Sequence, residues 1–191
     1  MEAASSLIFI TGGVRSGKSS FAEKKAEQIS NETGGQLHYL ATGVPSDREM
    51  MERINIHQRD RVEGMYGWKT VEKPVQIGML ADHFSHEDII LLDCVTTLLN
   101  NELFSSEQKW DQPFLDKVRE SVVTGIFEIK NRVSVMIVVS NEVLYEPLHG
   151  NQLVFTYGRL LGQIHQQLVK EADQAFLVEA GIPLVMKGVS R

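Results

Sequence analysis

Apolar residues occur along this chain in two alternating rhythms. Short unbroken apolar runs, the pattern of strands buried on both faces of a parallel sheet, lie at Leu7 to Ile10, within Leu37 to Gly43, at Asp88 to Cys94 and at Val133 to Asn141. Between them the apolar positions recur three and four apart, which predicts helices. The first helix, residues 19–30, carries Phe21, Ala22, Ala26 and Ile29 on one face. A second opens at Pro45-Ser46-Asp47, with a cap at Ser46 or Asp47, and runs toward Arg61 with positions 50, 54, 57 and 61 on one face. Residues 68–72 read as a short strand, and Pro74 starts a helix carrying Val75, Ile77, Met79 and Leu80. Helices follow at 95–104, at 114–132 (Val118, Val122, Ile126 and Ile129 inward) and at 152–172. The last carries an inner stripe of Leu153, Tyr157, Leu160, Leu161, Ile164 and Leu168. Two strands, 174–179 and 182–187, close the sheet around Gly181. Strands alternating with helices predict a doubly wound α/β fold with a mostly parallel sheet and right-handed crossovers.

Bulk composition narrows this picture. A chain of 191 residues, 42% hydrophobic and 23% charged, is expected to form one large domain over 1–191 with a full core. The net charge of -6 argues against broad binding to nucleic acid or to an anionic membrane, so positive charge for an anionic ligand has to be supplied locally. No apolar run reaches the about 18 residues of a membrane span, and no basic stretch precedes Leu7, so the cytoplasm is the expected location. The single cysteine, Cys94, excludes an internal disulfide and a cysteine-rich metal site.

The candidate chemistry starts where the first strand ends. Gly12, Gly17, Lys18 and Ser19 fit G-x-x-x-x-G-K-[ST], and the whole loop is Gly12, Gly13, Val14, Arg15, Ser16, Gly17, Lys18 and Ser19. Backbone N–H groups of such a loop wrap a phosphate, the lysine reaches the terminal phosphates, and the hydroxyl meets a magnesium ion. The next helix directs its positive end at the same charge. A nucleoside triphosphate is therefore the expected ligand. Ligands of parallel sheets gather at the carboxyl ends of strands, which places Ala41, Thr42 and Gly43 near the loop. Asp93 ends a buried strand and is a candidate magnesium partner with Ser19; the lesser alternative, compatible with it, is a carboxylate that caps the following helix.

His57 stands among Arg53, Arg59 and Arg61, a basic group in an acidic chain. Taken alone, a histidine late in an amphipathic helix is a packed or solvated residue. Imidazole is also a nucleophile toward phosphorus, and neighbouring guanidinium groups would steer a nucleotide and neutralise developing charge. No second histidine or cysteine stands at ligand spacing to make it a metal site. Glu72 reads by itself as a surface acid, and Asn141-Glu142 as either ligand-side residues or a polar turn.

Six segments, in order, carry a resemblance: Thr11-Gly-Gly-Val-Arg-Ser-Gly-Lys-Ser19, Tyr39-Leu-Ala-Thr-Gly43, Arg53-Ile-x-x-His57, Trp68-x-Thr-x-Glu72, Leu91-Leu-Asp-Cys-Val-Thr-Thr97 and Ser140-Asn-Glu-Val143. Together they resemble the adenosylcobinamide kinase / adenosylcobinamide-phosphate guanylyltransferase family of cobalamin biosynthesis. The resemblance implies a phosphate-loop, recombinase-like α/β fold and a bifunctional, trimeric enzyme. One activity phosphorylates adenosylcobinamide with ATP or GTP; the other transfers GMP from GTP to the resulting phosphate through a guanylylated histidine, by position His57. It further implies guanine-nucleotide contacts from Gly12 to Ser19, from Ala41 to Gly43, and from Arg61, Glu72 and Asp93. The family continues after Asn-Glu-Val with a Val-Pro-x-Asn-x-Leu-Ala-Arg run. Here Asn151 and Leu153 remain, Phe155 replaces the arginine, and Arg159 replaces an aspartate one turn on. These departures bear on acceptor binding. Two other readings stay open: a single-activity phosphate-loop kinase acting on another small hydroxyl compound with His57 structural, and a nucleotide-binding protein that has lost turnover, which the departures at Phe155 and Arg159 keep in view.

Overall fold

The computed structural model describes residues 5–43, 66–142 and 152–188. The expected helix toward Arg61, with Arg53 and His57, lies outside the described residues. Seven strands form one sheet in the order β3-β2-β4-β5-β1-β6-β7. They are β1 Ser6–Gly12, β2 Gln36–Ala41, β3 Lys69–Glu72, β4 Asp88–Asp93, β5 Val135–Asn141, β6 Gln174–Glu179 and β7 Ile182–Lys187. Every described pairing is parallel except β6 with β7, which is antiparallel. The helices are α1 Lys18–Thr33, α2 Val95–Phe104, α3 Gln112–Lys130 and α4 Gln152–Glu171. The expected doubly wound sheet is the one observed.

The unbroken apolar runs follow from helices on both faces of the sheet. Leu7 and Phe9 of β1 join one buried cluster with Leu98, Val122, Ile126, Leu161 and Ile164, from α2, α3 and α4. Ile8 and Ile10, pointing the other way, join a second cluster with Ala22 and Ala26 of α1. Alternate side chains of one strand thus serve opposite layers, which is why the runs are apolar at consecutive positions. Burying each such aliphatic side chain contributes about 1.5–3 kcal/mol against its exposed state.

Two expectations fail locally. The helix expected from Pro74 is a 3-10 turn, Ile77–His83, that buries Ile77 and leaves Met79 exposed. Gln76, in the left-handed region at φ 51°, precedes it, and its N–H donates to a Glu102 carboxylate oxygen at 2.7 Å, so the chain enters too sharply for a longer α-helix. Leu153, expected on the inner stripe of α4, is 55% exposed. Residues 152–155 of the first turn of α4 are exposed, and burial begins near Tyr157 and Gly158.

Behind the sheet edge, Ser140 Oγ and His165 Nε2 lie 2.7 Å apart, and the imidazole meets Phe9 edge-on at 5.2 Å. Burial drives the His165 pKa down to about 4, so the folded protein holds it neutral. The unfolded chain binds that proton near pH 6.5, so stability is fully present above 6.5 and falls as the pH drops toward 4. We expect wild type to lose up to about 3 kcal/mol from this group over that window, read as urea midpoints at pH 7 and 4.5. His165→Gln should flatten the acid limb; an unchanged slope would show that other groups cause it.

Candidate nucleotide site

The loop after β1 is an anion cradle by backbone geometry. Arg15 and Gly17 both take positive φ, 60° and 91°, and Ser16 N–H donates to the Gly13 carbonyl at 3.2 Å. Helix α1 starts immediately afterwards, with Gly17 as its N-cap and no side chain capping its first N–H groups. Those donors and the helix dipole are what a phosphate requires. Val14 at 74% exposure, with exposed Gly13 and Arg15, leaves the rim open. Lys18 is buried in the cradle, its Nζ donating to the Gly13 carbonyl at 3.0 Å. Burial lowers its pKa, and the nearby Asp93 and Cys94 oppose that shift. Ser19 follows, half-buried, in the first turn of α1.

The cradle has a backing that sequence reasoning missed. The two-residue turn between β6 and β7, Ala180 (φ 49°) and Gly181 (φ 80°), sits against the loop. Gly181 N–H donates to the Ser16 carbonyl at 2.8 Å, and a Cβ on Gly17 would stand 3.2 Å from the Gly181 Cα. From sequence, Gly181 signals only the hairpin turn; its partner lies far away in the chain. An alanine at 181 would be strained at that φ, although nothing lies within 4 Å of the added Cβ, and the strain is relieved by rotating the turn off Ser16. Gly34, the C-cap of α1 at φ 76°, has equal open space and no loop contact. Each alanine variant should cost about 1 kcal/mol of stability. Only Gly181→Ala should weaken nucleotide affinity, by several-fold, in a titration of melting temperature against GTP; equal affinities in the two variants would remove the turn from the site.

Asp93 ends β4 in register with Ala41 of β2 on one side and Val139 of β5 on the other. Since Gly12 is in register with Asn141 of β5, Asp93 lies two strands from the loop, roughly 10 Å along the sheet. Its carboxylate does not cap α2: the N-cap is Cys94, with no side-chain cap bond, and Asp93 Oδ2 accepts instead from the Tyr39 hydroxyl at 2.9 Å. The capping role considered from sequence is thus not the one found. Thr42 is fully buried and braces this junction. Its Oγ1 accepts from Cys94 N–H at 2.9 Å and lies within donating distance of the Cys94 and Asp93 carbonyls, 2.9 and 3.2 Å. Asn101 Nδ2 ties the same edge together, donating to the Thr42 and Pro74 carbonyls at 2.8 and 3.0 Å. Ala41 and Gly43 flank Thr42, both half-buried.

Beside this edge Cys94 Sγ lies 2.9 Å from Thr96 Oγ1 and 3.2 Å from Thr97 Oγ1. Asn141 Nδ2 donates to Thr96 Oγ1 at 2.8 Å, and the Tyr157 hydroxyl donates to the Thr96 carbonyl at 3.0 Å. Burial raises the Cys94 thiol and pushes Tyr157 up to about 12, so both stay protonated near neutral pH and neither is an ionised nucleophile. Glu72 is exposed at the end of the edge strand β3, in register with Ala41 and about 19 Å from the loop by strand spacing. The structure therefore gathers the loop, Asp93 and Ala41–Gly43 on one edge and sets Glu72 at its far end. His57 and Arg61 lie outside the described residues. Among those described, no three His, Cys, Asp or Glu side chains cluster to hold a metal.

Three kinds of comparison bear on this geometry. Residues 8–186 match the family described as cobinamide kinase / cobinamide phosphate guanyltransferase. The chain is 31% identical over 192 residues to the bifunctional adenosylcobalamin biosynthesis protein CobU of Escherichia coli (strain K12), covering 95% of this chain and 99% of that one. It is 32% identical over 180 residues to the bifunctional adenosylcobalamin biosynthesis protein CobP of Pseudomonas aeruginosa, covering 94% and 96%. Among solved structures, a KaiC-like protein from Pyrococcus horikoshii OT3 superposes with a TM-score of 0.52 at 13% identity, over 97% of this chain and 80% of that one. That likeness speaks to the fold alone, which is of the phosphate-loop type.

Proposed function

Because the chain belongs to the cobinamide kinase / cobinamide phosphate guanyltransferase family, we propose that the edge described above runs both reactions on one corrinoid acceptor. The enzyme is a nucleotide-dependent kinase and guanylyltransferase of cobalamin biosynthesis. In the kinase step the acceptor hydroxyl oxygen of adenosylcobinamide attacks the γ-phosphorus of ATP or GTP. The bond from that phosphorus to the β–γ bridging oxygen breaks, and the nucleoside diphosphate leaves as the hydroxyl loses its proton. Lys18 and the loop N–H groups neutralise charge on the transferring oxygens. Ser19 and Asp93 are hard oxygen donors of the kind Mg2+ takes alongside phosphates and water, and would hold it there. When bound, the ion supplies further charge neutralisation.

In the second reaction an unprotonated His57 ring nitrogen attacks the α-phosphorus of GTP, and the α–β bridging bond breaks to release pyrophosphate. A phosphate oxygen of adenosylcobinamide phosphate then attacks the same phosphorus, the P–N bond breaks, and adenosylcobinamide-GDP forms with free imidazole. His57 follows Gly43 by fourteen residues, so the tether from the sheet edge is long enough to bring it to a nucleotide in the loop. Arg53 and Arg61 would receive the charged groups, and Glu72, at the outer end of the edge, would meet the nucleoside. We place the enzyme in the cytoplasm as a homotrimer; among the described residues no helix is long and apolar enough to cross a membrane.

The observation that carries this reading is the phosphate cradle, with its buried Lys18 two strands from Asp93, within a family match spanning residues 8–186. The deciding experiment incubates the protein with α-labelled GTP and then with adenosylcobinamide and ATP. Acid-labile, alkali-stable protein-bound label and a phosphorylated corrinoid are the expected results. A single-activity kinase acting on another small hydroxyl compound would give no bound label and leave the corrinoid unphosphorylated, as would the nucleotide-binding protein without turnover that Phe155 and Arg159 keep open.

A further inference from the structure

Helices α3 and α4 precede β5 and β6, both parallel to β1, so both helices begin at the edge of the sheet where β1 delivers the phosphate loop. Between their first turns opens a groove of about 210 Å³, walled by Trp110, Leu115, Phe155 and Leu160 and edged by Gln112 and Arg159. Its aromatic wall continues outward. Phe104 meets Trp110 edge-on at 5.2 Å, and Phe104 and Phe155 remain 65% and 51% exposed. Among the described residues no carboxylate lines the groove, although the protein carries a net charge of -6. Arg159 instead donates to the Gln112 side-chain oxygen at 3.4 Å. A larger groove of about 740 Å³ between the same helices includes Lys130, Lys170 and Glu171. It reaches their far ends, at the opposite edge, and mixes both charges.

Helix α4 ties the smaller groove to the nucleotide edge by two contacts. Its His165 packs on Phe9 of β1, and its Tyr157, between Phe155 and Arg159, bonds the Thr96 carbonyl beside Cys94. A groove with aromatic walls, amide edges and a guanidinium suits the face of a large solute fringed with carboxamides, whose oxygens the Gln112 and Arg159 N–H groups can meet. We infer that this groove binds the amide-bearing rim of the corrinoid acceptor and so turns its hydroxyl arm toward the phosphate loop. The inference rests on the acceptor assigned under the proposed function. On it, Phe155 and Arg159, which depart from the family's run, are acceptor-binding residues in their own right.

The test is binding of adenosylcobinamide to the full-length protein by equilibrium dialysis, which needs no turnover, with KM measured alongside. Phe155→Ser and Arg159→Ala should each raise the dissociation constant, and the KM for the acceptor, about tenfold. The GTP-dependent shift in melting temperature should stay within error. Val154→Ser, an exposed neighbour that does not line the groove, should change neither. If wild type binds the corrinoid and the groove variants bind it more weakly, the site stands even where no phosphate is transferred, and the proposed function alone fails. Equal binding by all variants, absence of binding by wild type, or a lower sedimentation mass accompanying the loss, which would mark the patch as a subunit contact, each overturns it.

Discussion

Replacing Lys18 by alanine is expected to lower kcat/KM for phosphoryl and for guanylyl transfer by about 10²- to 10³-fold, the usual effect of deleting one preorganised donor at developing oxyanion charge. Lys18 is a buried cation whose ammonium already bonds the Gly13 carbonyl inside the cradle. Burial alone would favour its neutral form, and Asp93 works against that. A bound triphosphate would add further negative charge, so the lysine is most fully charged when it is needed. Because its burial is itself costly, the alanine variant should fold normally, with a melting temperature within a few degrees of wild type. Activity and stability should therefore separate. Lys18→Arg should not rescue, since a planar guanidinium does not fit a space shaped for one ammonium. Steady-state kinetics with both nucleotides decides the matter; wild-type rates in Lys18→Ala would remove the phosphate cradle from catalysis.

Replacing His57 by alanine should reduce protein-bound label from α-labelled GTP to background and leave phosphorylation of adenosylcobinamide within about threefold of wild type. The two effects differ because the kinase displacement occurs at the γ-phosphorus and uses the loop, whereas the guanylyl relay needs a side-chain nucleophile at the α-phosphorus. A P–N bond is labile enough to pass GMP on, which lets a single site handle first a pyrophosphate leaving group and then a bulky acceptor. Label surviving acid-free gel filtration in His57→Ala would move the relay to another residue. The protonated thiol of Cys94 and the phenol of Tyr157 are poor replacements, since burial raises both pKa values.

What the sequence made legible was whatever depends on neighbours in the chain. The cradle, the helix behind it and the buried strands ending at Asp93 and Asn141 were readable because G-x-x-x-x-G-K-S and continuous apolar runs are local signals. The inward faces of α1 and α3 were likewise readable from three-and-four spacing. Leu153 was not, because its periodicity fits the stripe and only the end of the core beneath it decides its exposure. The bond from Gly181 to Ser16, the Thr42 brace on Cys94 and the Tyr39 hydroxyl on Asp93 all join strands that are distant in sequence, and no local pattern encodes them. Glu72 shows the same limit: its separation from the loop follows from strand order, which alternation alone leaves undetermined.

The placement of β1 between β5 and β6, with the β6–β7 turn bonded to its loop, orders events during synthesis. In synthesis β1 emerges well before either strand that flanks it, so the parts that grip the triphosphate are made first and locked only when β5, β6 and the β6–β7 turn follow. A ribosome-tethered chain stalled before Gly181 emerges should therefore fail to retain the nucleotide.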